Sequence, residues 1–288
     1  MSDKKVKNDK RKVEWAFDFA NIGESFSNVM ESLRSEEELT ISEFNVPKAD
    51  VESAHVTVKF SVAQGFVQAL EDGSDDLFKA TIHHVGEVEF TDEGDTSKTI
   101  AVKQKGKFGF SANPLKQGLT AFSNRNDLKW DINLSPDVPL SLNIDGGIGP
   151  TKLDLSRLQL HNLKVDTGIG TLDMILPPQD KKIEADIDGG VGQTKIYVPD
   201  NADIILNIDG GVGEIEVTVS SNDAVQVMAE GGIGSVKVPD SLKRITKSDM
   251  LEKGKVWQSE GFDLAQRRIS IRYDGGVGEF KMCHAEIV

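Results

Sequence analysis

Cysteine is all but missing: Cys283 stands alone, so no intrachain disulfide can staple the fold and nothing points to an oxidising compartment. Aromatic residues are scarce at 6%, which argues against a core filled by large rings. Long apolar runs are missing as well. No stretch approaches 18 apolar residues, and the basic start is not followed by an apolar segment, so neither a membrane span nor a signal peptide is expected. The expected location is the cytoplasm, with peripheral contact at the inner membrane surface left open by the helix described below. Positive charge is in short supply, with 33 Lys and Arg against 47 Asp and Glu and a formal net charge of −14. The exception is residues 1–12, where Lys4, Lys5, Lys7, Lys10, Arg11 and Lys12 outnumber Asp3 and Asp9. A body this acidic repels polyanions, which excludes nucleic acid as a partner class.

Glycine, by contrast, is abundant at 27 residues. After the basic tail of 1–12, residues 13–35 carry the pattern of an amphipathic helix. Trp15, Phe19, Ile22, Phe26, Val29, Met30 and Leu33 fall on one stripe about 100° wide at helical spacing. Residues 36–44 are acidic and read as a linker. From 45 to 140 the pattern becomes β: Val56, Val58, Phe60 and Val62 alternate with polar neighbours, and shorter strand candidates follow between turn residues, with 106–126 the expected long loop.

From 141 to 288 the chain repeats. An acid followed by glycines and one β-branched residue recurs as Asp145-Gly-Gly-Ile-Gly149, Asp166-Thr-Gly-Ile-Gly170, Asp188-Gly-Gly-Val-Gly192, Asp209-Gly-Gly-Val-Gly213, Glu230-Gly-Gly-Ile-Gly234 and Asp274-Gly-Gly-Val-Gly278. The intervals are 21, 22, 21, 21 and 44 residues. A fixed period of this size predicts an all-β, single-stranded β-solenoid of about seven 21–22-residue coils, the last interval holding a degenerate coil. Residues one and three before each acid, such as Ile187 and Ala185, and eight after it, such as Ile196, are apolar and define inward columns. Seven after the acid, Lys152, Asp173, Lys195, Glu216 and Lys237 alternate in sign, a ladder that would penalise a slip of register.

None of these corners carries the spacing of a phosphate-binding loop, and none opens a helix. The acids bear only a loose likeness to calcium-binding repeats, because those recur every nine residues with the acid after the glycines. The reading adopted for Asp145, Asp166, Asp188, Asp209, Glu230 and Asp274 is structural: each accepts a hydrogen bond from its own glycine corner. His83 with His84, and Cys283 with His284, are sequence neighbours on strands and face opposite sides, a poor basis for a metal site. No catalytic residue, cofactor or metal is assigned, and the chain reads as a non-enzymatic interaction or scaffold module. The alternative from another class is a cation- or carbohydrate-binding solenoid with a lyase-like activity around Asp240–Gln266, the one loosely patterned, charge-rich stretch. For the stripe Trp15, Phe19, Ile22, Phe26, Met30 and Leu33 three readings stand: packing on the solenoid, membrane-surface binding, and self-association.

The run from Trp130 to Gly149, with Leu153-Asp-Leu-Ser-Arg-Leu158, Val165-Asp-Thr-Gly-Ile-Gly170 and the upstream Leu77-Phe-Lys-Ala80, resembles the bacterial toastrack adhesin-like repeat family. That family includes the C-terminal domain of LiaF-type cell-wall-active antibiotic response proteins. The resemblance spans roughly residues 50–288. It implies a non-enzymatic sensor or scaffold in an envelope-stress response, with a protein partner and no transferable catalytic residue. The chain departs from the family pattern in lacking a membrane-spanning segment.

Overall fold

The computed structural model describes residues 39–105, 128–178, 181–245 and 254–285. The helix expected over 13–35, with Trp15, Phe19, Ile22, Phe26, Met30 and Leu33, lies outside them, as do the basic tail and the whole of the expected long loop. In chain order the strands are β1 (Thr40–Pro47), β2 (Ser53–Lys59), β3 (Gln64–Ala69), β4 (Asp76–His84), β5 (Glu87–Glu93), β6 (Ser97–Lys105), β7 (Lys129–Leu134), β8 (Leu140–Asp145), β9 (Thr151–Asp154), β10 (Leu160–Asp166), β11 (Ile169–Ile175), β12 (Ile183–Asp188), β13 (Val191–Tyr197), β14 (Ile204–Asp209), β15 (Val212–Val219), β16 (Val225–Lys237), β17 (Lys243–Ile245), β18 (Lys255–Gln258) and β19 (Ile269–His284). All belong to one 19-stranded sheet, folded back on itself along the glycine corners.

A rung of this fold is a strand, a corner and a second strand. β8, β10, β12 and β14 stack in parallel as one face; β9, β11, β13 and β15 stack as the other. The core lies between the faces, and strict alternation of side chains keeps it dry. Ile144, Val165, Ile187 and Ile208 are buried, as are Leu142, Leu163, Ala185 and Leu206 from the same face and Leu153, Met174, Ile196 and Val217 from the other. Each such aliphatic side chain contributes about 1.5–3 kcal/mol when fully withdrawn from water. Polar residues take the alternate positions, so a parallel sheet that would ordinarily be covered on both faces can meet water on its outer one.

The N-terminal half belongs to the same stack. β2 and β3 form a rung beneath β8 and β9, and β6 and β7 lie beneath that rung in turn. Antiparallel strands close this end: β5 on β6, β4 on β7, and β1 on β4. Phe44 stacks on Phe90 at 4.6 Å and Trp130 meets Phe60 edge-on at 5.5 Å, placing the larger rings where the rungs give way to the cap. Two sequence boundaries shift accordingly. β1 begins at Thr40, inside the stretch expected as a linker, and residues 45–140 share their core with residues 141–288.

The C-terminal end departs from the expected succession of coils. β19 pairs with β14 and β15 on one side and with β16 on the other, so the corners stack in the order Asp209, Asp274, Glu230. The 44-residue interval holds no degenerate coil in its described residues. Instead β18 runs antiparallel to β16 and β17 antiparallel to β18, after which the chain returns to fill the gap left between β15 and β16. The physical reason is the sheet edge: β18 and β17 cover half of the terminal rung, and the last strand is paired on both sides.

Candidate functional site

Among the described residues, the glycine corners form an edge where side chains are nearly absent. Their amides are satisfied by the neighbouring rung: Gly189 N–H donates to the Asp209 carbonyl at 2.7 Å, Gly210 N–H to Asp274 at 2.7 Å, and Val191, Val212 and Val277 N–H to the carbonyls of Gly168, Gly190 and Gly211 at 2.8 Å each. The stacking is so close that a Cβ at Gly192, where φ is +143°, would run into the carbonyl oxygen of Gly170. Apart from Thr167, one side chain per corner remains, the β-branched residue three after the acid.

That residue points outward. Val191 is 50% exposed, Val212 52%, Val277 50% and Ile233 76%, unusual for valine and isoleucine. Strand pairing and isolated bridges place Val62, Ile148, Ile169, Val191, Val212, Val277 and Ile233 in one column. Val62 is buried at its start, and the exposed part is a straight apolar ridge standing on a floor of glycine. At the usual strand spacing it runs about 19 Å from Ile169 to Ile233. Sequence reading passed over this ridge, although the signal was present: counting alternate positions back from the inward column eight after the acid puts the third position on the outside.

Three residues back along the chain runs a second column: Lys59, Asp145, Asp166, Asp188, Asp209, Asp274 and Glu230. The expected hydrogen bond from an acid to its own corner forms at Asp166, whose Oδ1 accepts Gly168 N–H at 3.1 Å. The equivalent amides of Gly190 and Gly276 are met differently, by Thr167 Oγ1 of the neighbouring rung at 2.5 Å and by the Tyr273 hydroxyl at 3.4 Å. Lys59 lies 3.9 Å from Asp145 and Lys164 lies 3.8 Å from Asp188. Among the described residues Asp209, Asp274 and Glu230 form no ion pair, and the cation Arg272 shares their trough. Lys164, Asp186 and Asn207 line the same open trough, with Asn207 donating to Asp186 at 2.8 Å.

On the opposite face the alternating ladder is continuous from Lys152 through Asp173 and Lys195 to Glu216, but the next member is Lys281, with Lys237 beyond it. Lys281 Nζ donates to Glu216 at 2.9 Å, a bond that raises the lysine's pKa. Lys237, displaced by a rung from its expected partner, pairs with Glu279 at 2.6 Å and, with Ser235, draws that carboxyl below its ordinary range.

Among the described residues no group of His, Cys, Asp and Glu is placed to hold a metal ion. His84 is buried, its Nε2 2.9 Å from Ser42 Oγ. Ser241 Oγ lies 2.8 Å from His284 Nε2 at the surface. The described parts of Asp240–Gln266 are β17, β18 and a 3-10 turn at Phe262–Leu264, an antiparallel cap and not the wall of a cleft.

Residues 33–197 match the family model of the N-terminal domain of toast_rack, DUF2154. No curated protein matches the chain. Among solved structures, a proposed cell adhesion protein from Clostridium sporogenes is 18% identical, with a TM-score of 0.55 over 86% of this chain and 100% of its own. A proposed adhesin from Bacteroides fragilis is 13% identical, with a TM-score of 0.37 over 87% of this chain and 99% of its own.

Proposed function

The chain belongs to the family of the N-terminal domain of toast_rack, and from that premise we propose that it is a non-enzymatic scaffold that binds a protein partner along its corner edge. The observation carrying this reading is the ridge of Ile169, Val191, Val212, Val277 and Ile233, apolar side chains lined up in water beside an acidic ladder. Contiguous exposed apolar surface of this kind marks an interaction site more often than chance decoration. Repeat scaffolds use such extended surfaces for binding. The acids select partners carrying Lys or Arg and discourage pairing of two like edges. The likeness to a proposed cell adhesion protein supports the shared architecture, and the setting we assign, a bacterial envelope-stress response at the inner side of the membrane, draws on the sequence resemblance and the apolar stripe of residues 13–35.

The test is affinity capture with the purified chain beside a Val191→Ser, Val212→Ser, Val277→Ser variant. A partner that the parent retains and the variant loses at least tenfold is the expected result. Equal recovery by both, or no partner for the parent, overturns the reading.

A further inference from the structure

We propose that β19 is exchanged between two copies of this chain, each copy's strand filling the gap between β15 and β16 of the other. This interface is separate from the ridge and does not depend on what the ridge binds. A strand inserted out of chain order is held differently from its neighbours. β19 lies between β14 and β15 on one side and β16 on the other, and among the described residues no element follows it, so withdrawing it pulls no other described strand out. The tether that leads into it, residues 259–268, is longer than its task. β18 ends and β19 begins at the same edge, on either side of β16, two strand spacings or about 10 Å apart. Residues 259–268 reach about 33 Å when extended. A 3-10 turn at Phe262–Leu264 takes up surplus length, and that slack is what a strand needs to reach a neighbouring molecule.

What is left when β19 departs can close. β16 offers the same inward pattern, Val225, Val227 and Ala229 in register with Ile269, Ile271 and Tyr273, all buried, so it can move by one strand spacing onto β14 and β15. Charge favours the same movement. With β19 in place Lys237 stands beside Lys281, a like-charge contact offset by Glu279 at 2.6 Å from Lys237, while Lys281 holds Glu216 at 2.9 Å. On closure Lys237 takes the place of Lys281 opposite Glu216, and the alternation Lys152, Asp173, Lys195, Glu216, Lys237 becomes unbroken. Two lysines thus compete for one rung, and the open form is not left with a bare cleft. The burial of Ile271, Tyr273 and Phe280 is recovered only when a β19 returns, and another molecule's strand is chemically identical to the chain's own. Leu264 points to the same partner. At 90% exposed it lies near the middle of the tether, and in a symmetric exchange the two tethers cross at the two-fold axis, where Leu264 of each copy covers that of the other.

The test uses Cys283, the only cysteine, which lies opposite Thr218 on β15 at the roughly 4.8 Å spacing that a disulfide can bridge. Full-length Thr218→Cys is mixed with its isotope-labelled form, held at high concentration a few degrees below its melting temperature, diluted about a hundredfold and then oxidised. Mass spectrometry is expected to find position 218 of labelled chains joined to Cys283 of unlabelled ones, in a share that rises with the concentration before dilution. If every such link lies within one chain, the proposal is overturned. Links between copies that join only like positions mark collision and overturn it too. Thr218→Cys oxidised before concentration, with its own strand locked in place, should form no dimer, and an equal dimer there assigns association to another surface and sinks the exchange. The parent, which carries no substitution, is expected to yield a species of twice the chain's mass by light scattering that outlasts dilution. Its absence overturns the proposal even should Thr218→Cys fail to fold, and leaves partner capture at the ridge untouched.

Discussion

Gly192 shows how little room a corner leaves. Its φ of +143° is one that L side chains rarely adopt, and a Cβ there would meet the backbone of Gly170, which cannot move without disturbing the whole column. Gly73 also has a positive φ, +78°, but nothing lies within 4 Å of a Cβ. Gly73→Ala should therefore cost about 1 kcal/mol from backbone strain, and Gly192→Ala at least about 2–3 kcal/mol. Chemical denaturation of both variants checks the ordering, and equal losses would mean that the corners are looser than the stacking implies. That glycine was required at the corners was legible in the sequence. The outward valine was legible by parity and missed, because the eye groups it with the apolar residues that fill the core.

His84 carries a pH dependence of its own. It is 4% exposed and bridges to Ser42, and burial lowers its pKa from the ordinary 6.5. The unfolded chain therefore binds a proton more readily than the folded one. The neutral ring's contribution is complete above about pH 6.5 and is lost as pH falls through the lowered folded value. Melting temperatures of the parent and of His84→Gln, compared from pH 7.5 to pH 5, should show the parent losing stability faster. A flat difference would place His84 in water.

Among the elements, the outer ladder of β9, β11, β13 and β15 sets Lys195 between Asp173 and Glu216. Lys195→Glu places acids in succession and should cost on the order of 1 kcal/mol. Either flanking acid can be reversed in compensation, each at a cost to its far neighbour: Asp173→Lys faces Lys152, and Glu216→Lys gives up Lys281 at 2.9 Å. Urea titration of the single and double variants measures the coupling, which is expected to restore about half the loss. The inward columns were legible because alternation is a local property. The neighbour of Glu216 was not: the corners Asp209-Gly-Gly-Val-Gly213 and Asp274-Gly-Gly-Val-Gly278 are identical, so periodicity says which residues are equivalent without saying which rung lies next to which.

At the scale of the molecule, the ends of the stack are built by strands out of sequence order, β6 and β7 at one end and β16 at the other. Closing an end by chain order alone would leave the final strand as an unpaired edge open to association. Here β19, the last strand of the chain, is paired along its length with β14 and β15 on one side and with β16 on the other. The second half of β16, from Gly231 to Lys237, has β19 as its neighbour and no further strand among the described residues. Chain position and stability should then run in opposite directions. In native-state hydrogen exchange, peptides covering Ile269–Met282 are expected to exchange at least tenfold more slowly than peptides covering Gly231–Lys237, although they lie close to the C-terminus, where fraying is the usual expectation. Removing residues 267–288 should release β16, β17 and β18 together, because the rung that ties them to β14 and β15 is gone. If the exchange rates instead fall in chain order, with β19 fastest, the interleaved arrangement is wrong and the coils succeed one another as their spacing in the sequence suggests.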